Sequence, residues 1–593
     1  MKKIIILIII LTAVFYVYPV NDYNARYLDL EIKYTLKNDG TQVFDYFHRV
    51  KLLNSTRGFG ESFIKYNPEF QKLDVISSVT TMADGTKVKT PDNGYNEVLP
   101  REAKRFAVFS NLKEMVVSHT GIESGAEIEL RYRLTTKKGF IPYFTGREFI
   151  TKNVPVDKYT LKVELPEGDK LNYKVYNYSI KPEVKSSGGS LKYIFRGENI
   201  SEYRRNFYVK SYERPYIVFS NLEDLNGILP EIRKFEKECM VVNKKMKKIK
   251  ESDPSVREVL AGLKKELLNP LENCRTGLEL SGFTPRKVHN IIRSGYATKF
   301  EKVMLAGKLL KKAGIEYSML LPVPGFSSSD KVFSFLNAGE AVFLVNTQEE
   351  QLFLDPVKPG TDLNLSGNSG IVLVDVNSGK VLPLKKTGME NNSIILKGKV
   401  KLKDNKFTGN IRIFTSGSFF SYSGFIKNKD TLYKRTMGKI FPVSKAKNVK
   451  TLKVTGNSAE LTGDIETKPG KWGYEQFFYI NNFKIPTITK SMAGRNTTKY
   501  PVTTGNPFVV KVSLTMVIPK EYSVDMLKKN KKIDNIAGLY EYSAKEEKKG
   551  TINIDLKFGL KKGRTRAEDY PALKELIDNV LGGDFQLILK KKK

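Results

Sequence analysis

From about Asn21 to Pro215, apolar and polar residues alternate in short runs, the period of a half-buried β-strand. The stretch "RYLDLEIKYTLKNDGTQVFDYFHRVKLLN" holds two such runs joined by Asn38-Asp39-Gly40, a hairpin signal. A second turn stands at Asp84-Gly85, and "AEIELRYRL" and "KYTLKVELPEG" continue the alternation. Strands at this spacing predict a β-sandwich-like domain. After Pro215 the period lengthens: "LPEIRKFEKECMVVNKKMKKIK" and "SDPSVREVLAGLKKELLNPLENC" place apolar residues at helical spacing. Then "IIRSGYATKFEKVMLAGKLLKKAGIEYSMLL" predicts a loop, a helix and a buried strand, and "EAVFLVN" and "QLFLDPV" add two more strands. Beyond about Lys385 the alternation returns; Lys397, Lys399, Lys401 and Lys403 interleave with Gly398, Val400 and Leu402. One late helix, "AEDYPALKELIDNVLGG", has Pro571 near its start and Gly582 at its end. The expected fold class is multidomain and β-rich with a central α+β domain. The expected boundaries are 1–20 for a signal peptide or N-terminal membrane anchor, 21–215 and 386–593 for β domains, and 216–385 for the α+β unit.

The central helix carries its own punctuation. Thr298-Lys299-Phe300-Glu301 fits a capping box, in which the threonine hydroxyl accepts from the Glu301 backbone and the Glu301 carboxylate reaches back. Phe300, Val303, Met304, Gly307, Leu310 and Ala313 follow at helical spacing, and Gly314 is a natural stop. Lys299 therefore takes the first helical position, where a cation opposes the helix dipole at a cost of ~0.3–1 kcal/mol unless an anion compensates. A thiolate would be favoured at the same place.

The stretch "NPLENCRTGLELSGFTPRKVHNIIRSGYATKFEKVMLAGKLLKKAGI" resembles the core of bacterial transglutaminase-like proteins, whose fold is papain-like. Their segment runs Gly-Tyr-x-Pro, a short helix, Gly-Asp-Cys-Lys-Asp-Lys-Ala, then a leucine-rich helix ending Ala-Gly-Ile. Gly282-Phe283-Thr284-Pro285 through Val303 aligns with it without a gap. On that register the catalytic cysteine position is Lys299, the histidine position is Glu340 and the aspartate is kept as Asp355. The flanks are similar to the domain of unknown function 3857 that often precedes this core and to the β domain that often follows it. The resemblance implies a degenerate triad, because imidazole must activate a thiolate in such a reaction. Glutamate cannot relay a proton as imidazole does, and a neighbouring carboxylate raises a lysine pKa. The expected centre is Lys299 paired to Glu340, Asp355 or both, and the expectation is of a protein that is not an enzyme.

Composition narrows the remaining chemistry. The 593 residues include three histidines, two cysteines and one tryptophan, so no metal-ligand spacing appears; no cofactor or metal is expected. Cys274 with His289 is a weak substitute pair, because the resemblance puts Cys274 in a packing segment and His289 on a short helix. His48 and His119 are expected on strand and turn surfaces. "MKKIIILIIILTAVFYVYPVND" has the layout of a secretory signal, with an uncleaved anchor as the alternative. In an oxidising compartment Cys239 and Cys274 can form one disulfide. The net charge of +35 suits an anionic surface, but the lysines are scattered over solvated faces, and nucleic acid is not an expected partner. The expected role is an exported periplasmic or envelope protein, with a groove that binds an envelope protein, peptide or glycan. An enzyme working through unrecognised residues, either a hydrolase or an amide transferase, and a purely structural scaffold are the alternatives.

Overall fold

The computed structural model describes residues 23–203, 208–222, 240–250, 254–325, 332, 334–348, 351–358, 371–382, 387–420, 424–425, 428–441, 443–472, 476–583 and 585–592. The expected signal or anchor segment, Cys239 and the start of the first expected helix lie outside the described residues.

The N-terminal alternation folds into an eight-stranded sheet. Its order is Glu183–Ser187, Ser190–Ile200, Val156–Pro166, Ala25–Leu36, Gln42–Leu52, Glu127–Thr136, Gln71–Thr81 and Lys87–Lys89. All neighbours are antiparallel except Ala25–Leu36 with Val156–Pro166. Paired residues share a face, so the register makes Leu30, His48, Leu130 and Ser78 one inward row. Two three-stranded sheets cover that face. One, Asn172–Tyr176, Tyr216–Ser220 and Thr145–Phe149, sets Ile217 and Phe219 on Leu30, Leu161 and Phe195. The other, Glu61–Tyr66, Lys113–Ser118 and Tyr95–Val98, sets Ile64 and Val117 on Leu130. The opposite face carries exposed pairs such as Arg133–Asp45 and Lys162–Glu31. The strand Tyr216–Ser220, expected to open the central unit, pairs instead with both its partners in the N-terminal part, because its five residues are all buried and need a sheet.

Phe219 lies directly opposite Gly146 and its ring covers that glycine; a Cβ at Gly146 would stand 2.2 Å from the ring. Since Phe219 is fully buried, Gly146→Ala is expected to cost about 1–3 kcal/mol, measured by urea denaturation.

His48 and His119 correct the expectation that they decorate surfaces. Both are buried. The alternation Phe44, Tyr46, His48, Val50 puts His48 in the inward row. His119 is held between the two layers by Ser62 Oγ at 2.9 Å and Ser78 Oγ at 3.0 Å.

The central unit is an antiparallel five-stranded sheet ordered Gln351–Leu354, Val342–Asn346, Ser318–Pro324, Ile371–Asp375, Val381–Leu382. The Lys299–Ala313 helix packs on it, with the Val256–Leu263 helix on the other side. A single apolar stripe was the expectation for this helix; enclosure between two layers instead buries Glu301 through Gly307 without interruption. Gly307 makes room for Tyr317 and Phe343, whose atoms lie 3.2–3.3 Å from where a Cβ would be.

The C-terminal part is a second eight-stranded sheet, from Lys445–Val454 at one edge to Lys531–Asp534 at the other, again with one parallel pair, Ser393–Lys403 with Phe508–Val517. A four-stranded sheet, the Lys429–Gly438 helix and the Tyr570–Leu581 helix help close its core. Lys397, Lys399, Lys401 and Lys403 are exposed while Val400 and Leu402 are buried, as the alternation requires. Polar contacts join the parts: Arg564 forks onto the buried Glu213 carboxylate at 2.6 and 2.7 Å, and Arg257 donates to the Gly456 carbonyl at 2.8 Å.

Candidate functional site

The capping box forms as its residue types require. Thr298 Oγ1 accepts from the Glu301 amide at 3.1 Å, and Glu301 Oε2 accepts from the Thr298 amide at 2.9 Å. The helix closes on Gly314 in the left-handed region, φ 72°.

Glu301 does more than cap. Its carboxylate receives the Arg286 guanidinium, Nε to Oε1 at 2.7 Å and Nη2 to Oε2 at 2.8 Å, and the Arg286 backbone amide at 3.1 Å. Burial draws the Arg286 pKa down, but the hydrogen bonds and charge of Glu301 outweigh it and hold it above its ordinary value. The guanidinium also donates to Ser294 Oγ and the Tyr296 carbonyl, and lies over the Tyr296 ring at 4.7 Å. This knot fixes the Tyr296–Thr298 strand, and with it the direction in which Lys299 leaves the helix. Next to it the buried Lys302 donates to the Leu271 carbonyl at 2.7 Å, and burial lowers its pKa to about 8.

Lys299 Nζ donates to Glu340 Oε1 at the mouth of a cavity of about 340 Å³. Asp355 is turned elsewhere. Its Oδ1 accepts the Val357 and Lys358 amides at 3.0 Å, and its Oδ2 pairs with Lys358 at 3.3 Å. The structure therefore brings together Lys299 and Glu340, and leaves Asp355 holding the turn after its strand. Among the described residues, the apolar wall includes Phe300, Val303, Met304, Leu321 and Phe335. Thr298 Oγ1 is used in the cap, and Ser281 Oγ donates to the Gly277 carbonyl at 3.0 Å.

Cys274 lies behind this wall. It is fully buried among Phe106, Phe109 and Leu280, with its sulfur 3.1 Å from Thr276 Oγ1. Burial raises its pKa, which keeps it a thiol. His289 is exposed on the Val288–Ser294 helix, so the two do not form a buried relay. The proposed bridge to Cys239 falls on a residue outside the described set.

Three charged cavity residues were not singled out from sequence: Arg147, Arg275 and Glu279. Arg147 comes from the N-terminal strand Thr145–Phe149, so the site is completed by a segment more than a hundred residues away. Burial lowers its pKa against the raising effect of Tyr216, Glu148 and Glu279. No local pattern marks such a residue; only the packing of the two parts does. Among the described residues no group of three or more His, Cys, Asp or Glu side chains could hold a metal ion, and no helix is long and apolar enough to cross a membrane.

The Lys299–Glu340 pair is half-exposed, with side-chain exposures of 50% and 38%, so screening by water leaves it little net energy. Lys299→Ala is expected to change the unfolding free energy by less than about 1 kcal/mol, since it also removes a cation from the wrong end of a helix dipole. Paired urea titrations of wild type and variant check this.

Fold and site together define a multidomain, β-rich protein whose central α+β unit presents the start of a buried helix to a half-open groove. Residues 38–204 match the family model "Domain of Unknown Function with solved-structure structure (DUF3857)", and residues 476–589 match the model of the same description for DUF3858. A crystal structure of a "putative protease" from Parabacteroides distasonis ATCC 8503 shares the fold. It superposes with a TM-score of 0.72 at 22% identity, covering 96% of this chain and 99% of that one. An M1 zinc metallopeptidase from Deinococcus radiodurans overlaps only with a TM-score of 0.19 at 10% identity, over 33% of this chain and 42% of its own, too little to support any argument. No curated protein matches the chain.

Proposed function

We propose that this is an exported cell-envelope protein whose central groove binds a ligand without transforming it. The observation that supports the reading is the Lys299–Glu340 pair at the helix start, where a transglutaminase-like reaction needs a thiolate and an imidazole. An ammonium held by a carboxylate is not a nucleophile, and Cys274 is kept protonated and out of reach by burial. The groove's apolar wall beside Lys299, Arg147 and Arg275 suits a peptide strand or glycan carrying anionic groups.

The test has two parts. Purified protein incubated with casein, amine donors and envelope peptides is expected to give no turnover. A photo-reactive residue at Leu336 in the groove is expected to capture an envelope partner that one at Lys399, on the outer face of the C-terminal sheet, does not. Turnover abolished by Lys299→Ala would overturn the reading. The mass of the mature protein decides whether the N-terminal segment is removed on export.

The description of the Parabacteroides distasonis protein favours a second reading, a hydrolase using residues other than the triad positions. It predicts peptide cleavage that survives Cys274→Ala and is lost when groove residues such as Glu279 are replaced. A purely structural scaffold predicts that groove substitutions change stability and no binding.

A further inference from the structure

The two small sheets of the N-terminal part cover the same face of the large sheet. Over the strand Gln42–Leu52, beside the small sheet that carries Glu61–Tyr66, lies a cavity of about 270 Å³ that the groove reading does not use. Its floor is Tyr27, Tyr46, His48 and Tyr132, and its roof includes Ser62 and His119.

Three features of the lining bear on what it holds. The first is unsatisfied polarity. His48 is 7% exposed; its Nδ1 meets the Tyr46 hydroxyl at 3.2 Å, and its Nε2 has no partner among the described residues. The Tyr132 hydroxyl likewise has none among them. Both residues line the cavity, so a ligand or water that donates and accepts there can pair with these two atoms.

The second is the absence of cations. The chain carries 99 lysines and arginines, yet none lines this cavity among the described residues. Burial lowers His48 to about 3 and His119 to about 4, so both imidazoles are neutral near pH 7. Only His48 Nε2 is left for a ligand, since both His119 nitrogens are engaged; as one nitrogen of a neutral ring it can donate to or accept from a hydroxyl and brings no positive charge to hold an anion. At the rim, Glu61 is exposed with no ion-pair partner among the described residues, and would repel an anion further.

The third is the ring geometry. Tyr46 stacks on Tyr132 at 5.0 Å and 28°, and Tyr27 meets His48 edge-on at 5.7 Å. His119, pinned by Ser62 and Ser78, ties roof to floor and keeps the space pre-formed. Flat aromatic surface beside mixed donors and acceptors is suited to a ring with an apolar C–H face and hydroxyls around its edge.

We propose that this cavity is a binding site for a neutral polyhydroxylated ring, a single sugar residue or a cyclitol, with Tyr132 and His48 reading its hydroxyls and Glu61 accepting from it at the rim. The site stands independently of the groove.

Saturation-transfer NMR on the full chain tests it, with methyl β-glucoside, N-acetylglucosamine and myo-inositol as neutral probes and choline and acetate as charged ones. Saturation of the ring protons of at least one neutral probe is expected, falling at least fivefold in Tyr132→Phe and in Glu61→Gln, while choline and acetate show none. The proposal is overturned if no neutral probe is saturated, if the signal survives either variant in folded protein, or if choline is the preferred probe. Should Tyr132→Phe fail to fold, the exposed Glu61→Gln decides alone.

Discussion

Replacing Glu301 by alanine is expected to lower the stability of the central unit by about 3–5 kcal/mol, the cost of removing one partner from a buried ion pair. The side chains of Arg286 and Glu301 are 13% and 4% exposed, so the guanidinium left behind cannot recover water. The same change removes the carboxylate half of the cap on the Lys299–Ala313 helix, a loss of about 1 kcal/mol. Urea denaturation followed by far-UV circular dichroism measures the sum. A double variant, Arg286→Met with Glu301→Leu, should recover most of the loss, because it removes both desolvated charges together. If Glu301→Ala costs less than about 1 kcal/mol, the knot does not hold the helix start, and the account of how Lys299 is aimed fails with it.

Acidification is expected to weaken the N-terminal part before any carboxylate near its usual range is protonated. His48 and His119 have pKa values of about 3 and about 4 in the folded state, lowered by burial, with the His119 imidazole further disfavouring charge on His48. In the unfolded chain both take protons near pH 6.5. Between those values the unfolded state binds more protons, so stability rises with pH across the window and falls as pH drops from about 6.5 toward 4. Above about 6.5 both states hold neutral imidazoles and the histidines contribute no pH dependence. The loss by pH 4 is on the order of 3–6 kcal/mol if both stay buried and neutral. The groups facing them, Tyr27, Tyr46 and Tyr132, do not titrate in this range, and Glu61 sits at the rim. The check is unfolding free energy at pH 7, 6, 5 and 4.5 for wild type and His48→Gln. The variant should show a shallower slope by up to one proton, about 1.4 kcal/mol per pH unit. Equal slopes would mean that His48 is not neutral and buried in solution.

The helix that organises the candidate site was legible residue by residue. Thr298 and Glu301 are three positions apart, and a cap needs nothing beyond that spacing and a helix to begin. Gly314 ends it because a left-handed residue is least costly at glycine. The exposed lysines of Ser393–Lys403 and the buried Val400 and Leu402 follow from a period of two and one wet face. Asp355 was harder to place, because its position after a strand is the same whether it faces a groove or caps its own turn. Two amides at 3.0 Å decide for the turn.

What the sequence by itself determined is local: alternation, caps, glycine stops, and a lysine at the first position of a capped helix. Tertiary structure alone decided which of those local features share a space. Arg147 reaches the groove from another part of the chain, Arg286 finds Glu301 across a short helix and strand, and the strand Tyr216–Ser220 crosses to the N-terminal sheets. The two histidines read as surface residues became buried ones for the same reason. A strand's period of two sets His48 on the face of Phe44, Tyr46 and Val50 and Arg49 on the other, and whether that face is covered is not decided within the strand. That choice belongs to the sheets that pack over one face, and their free energy comes from contacts between residues far apart in the chain.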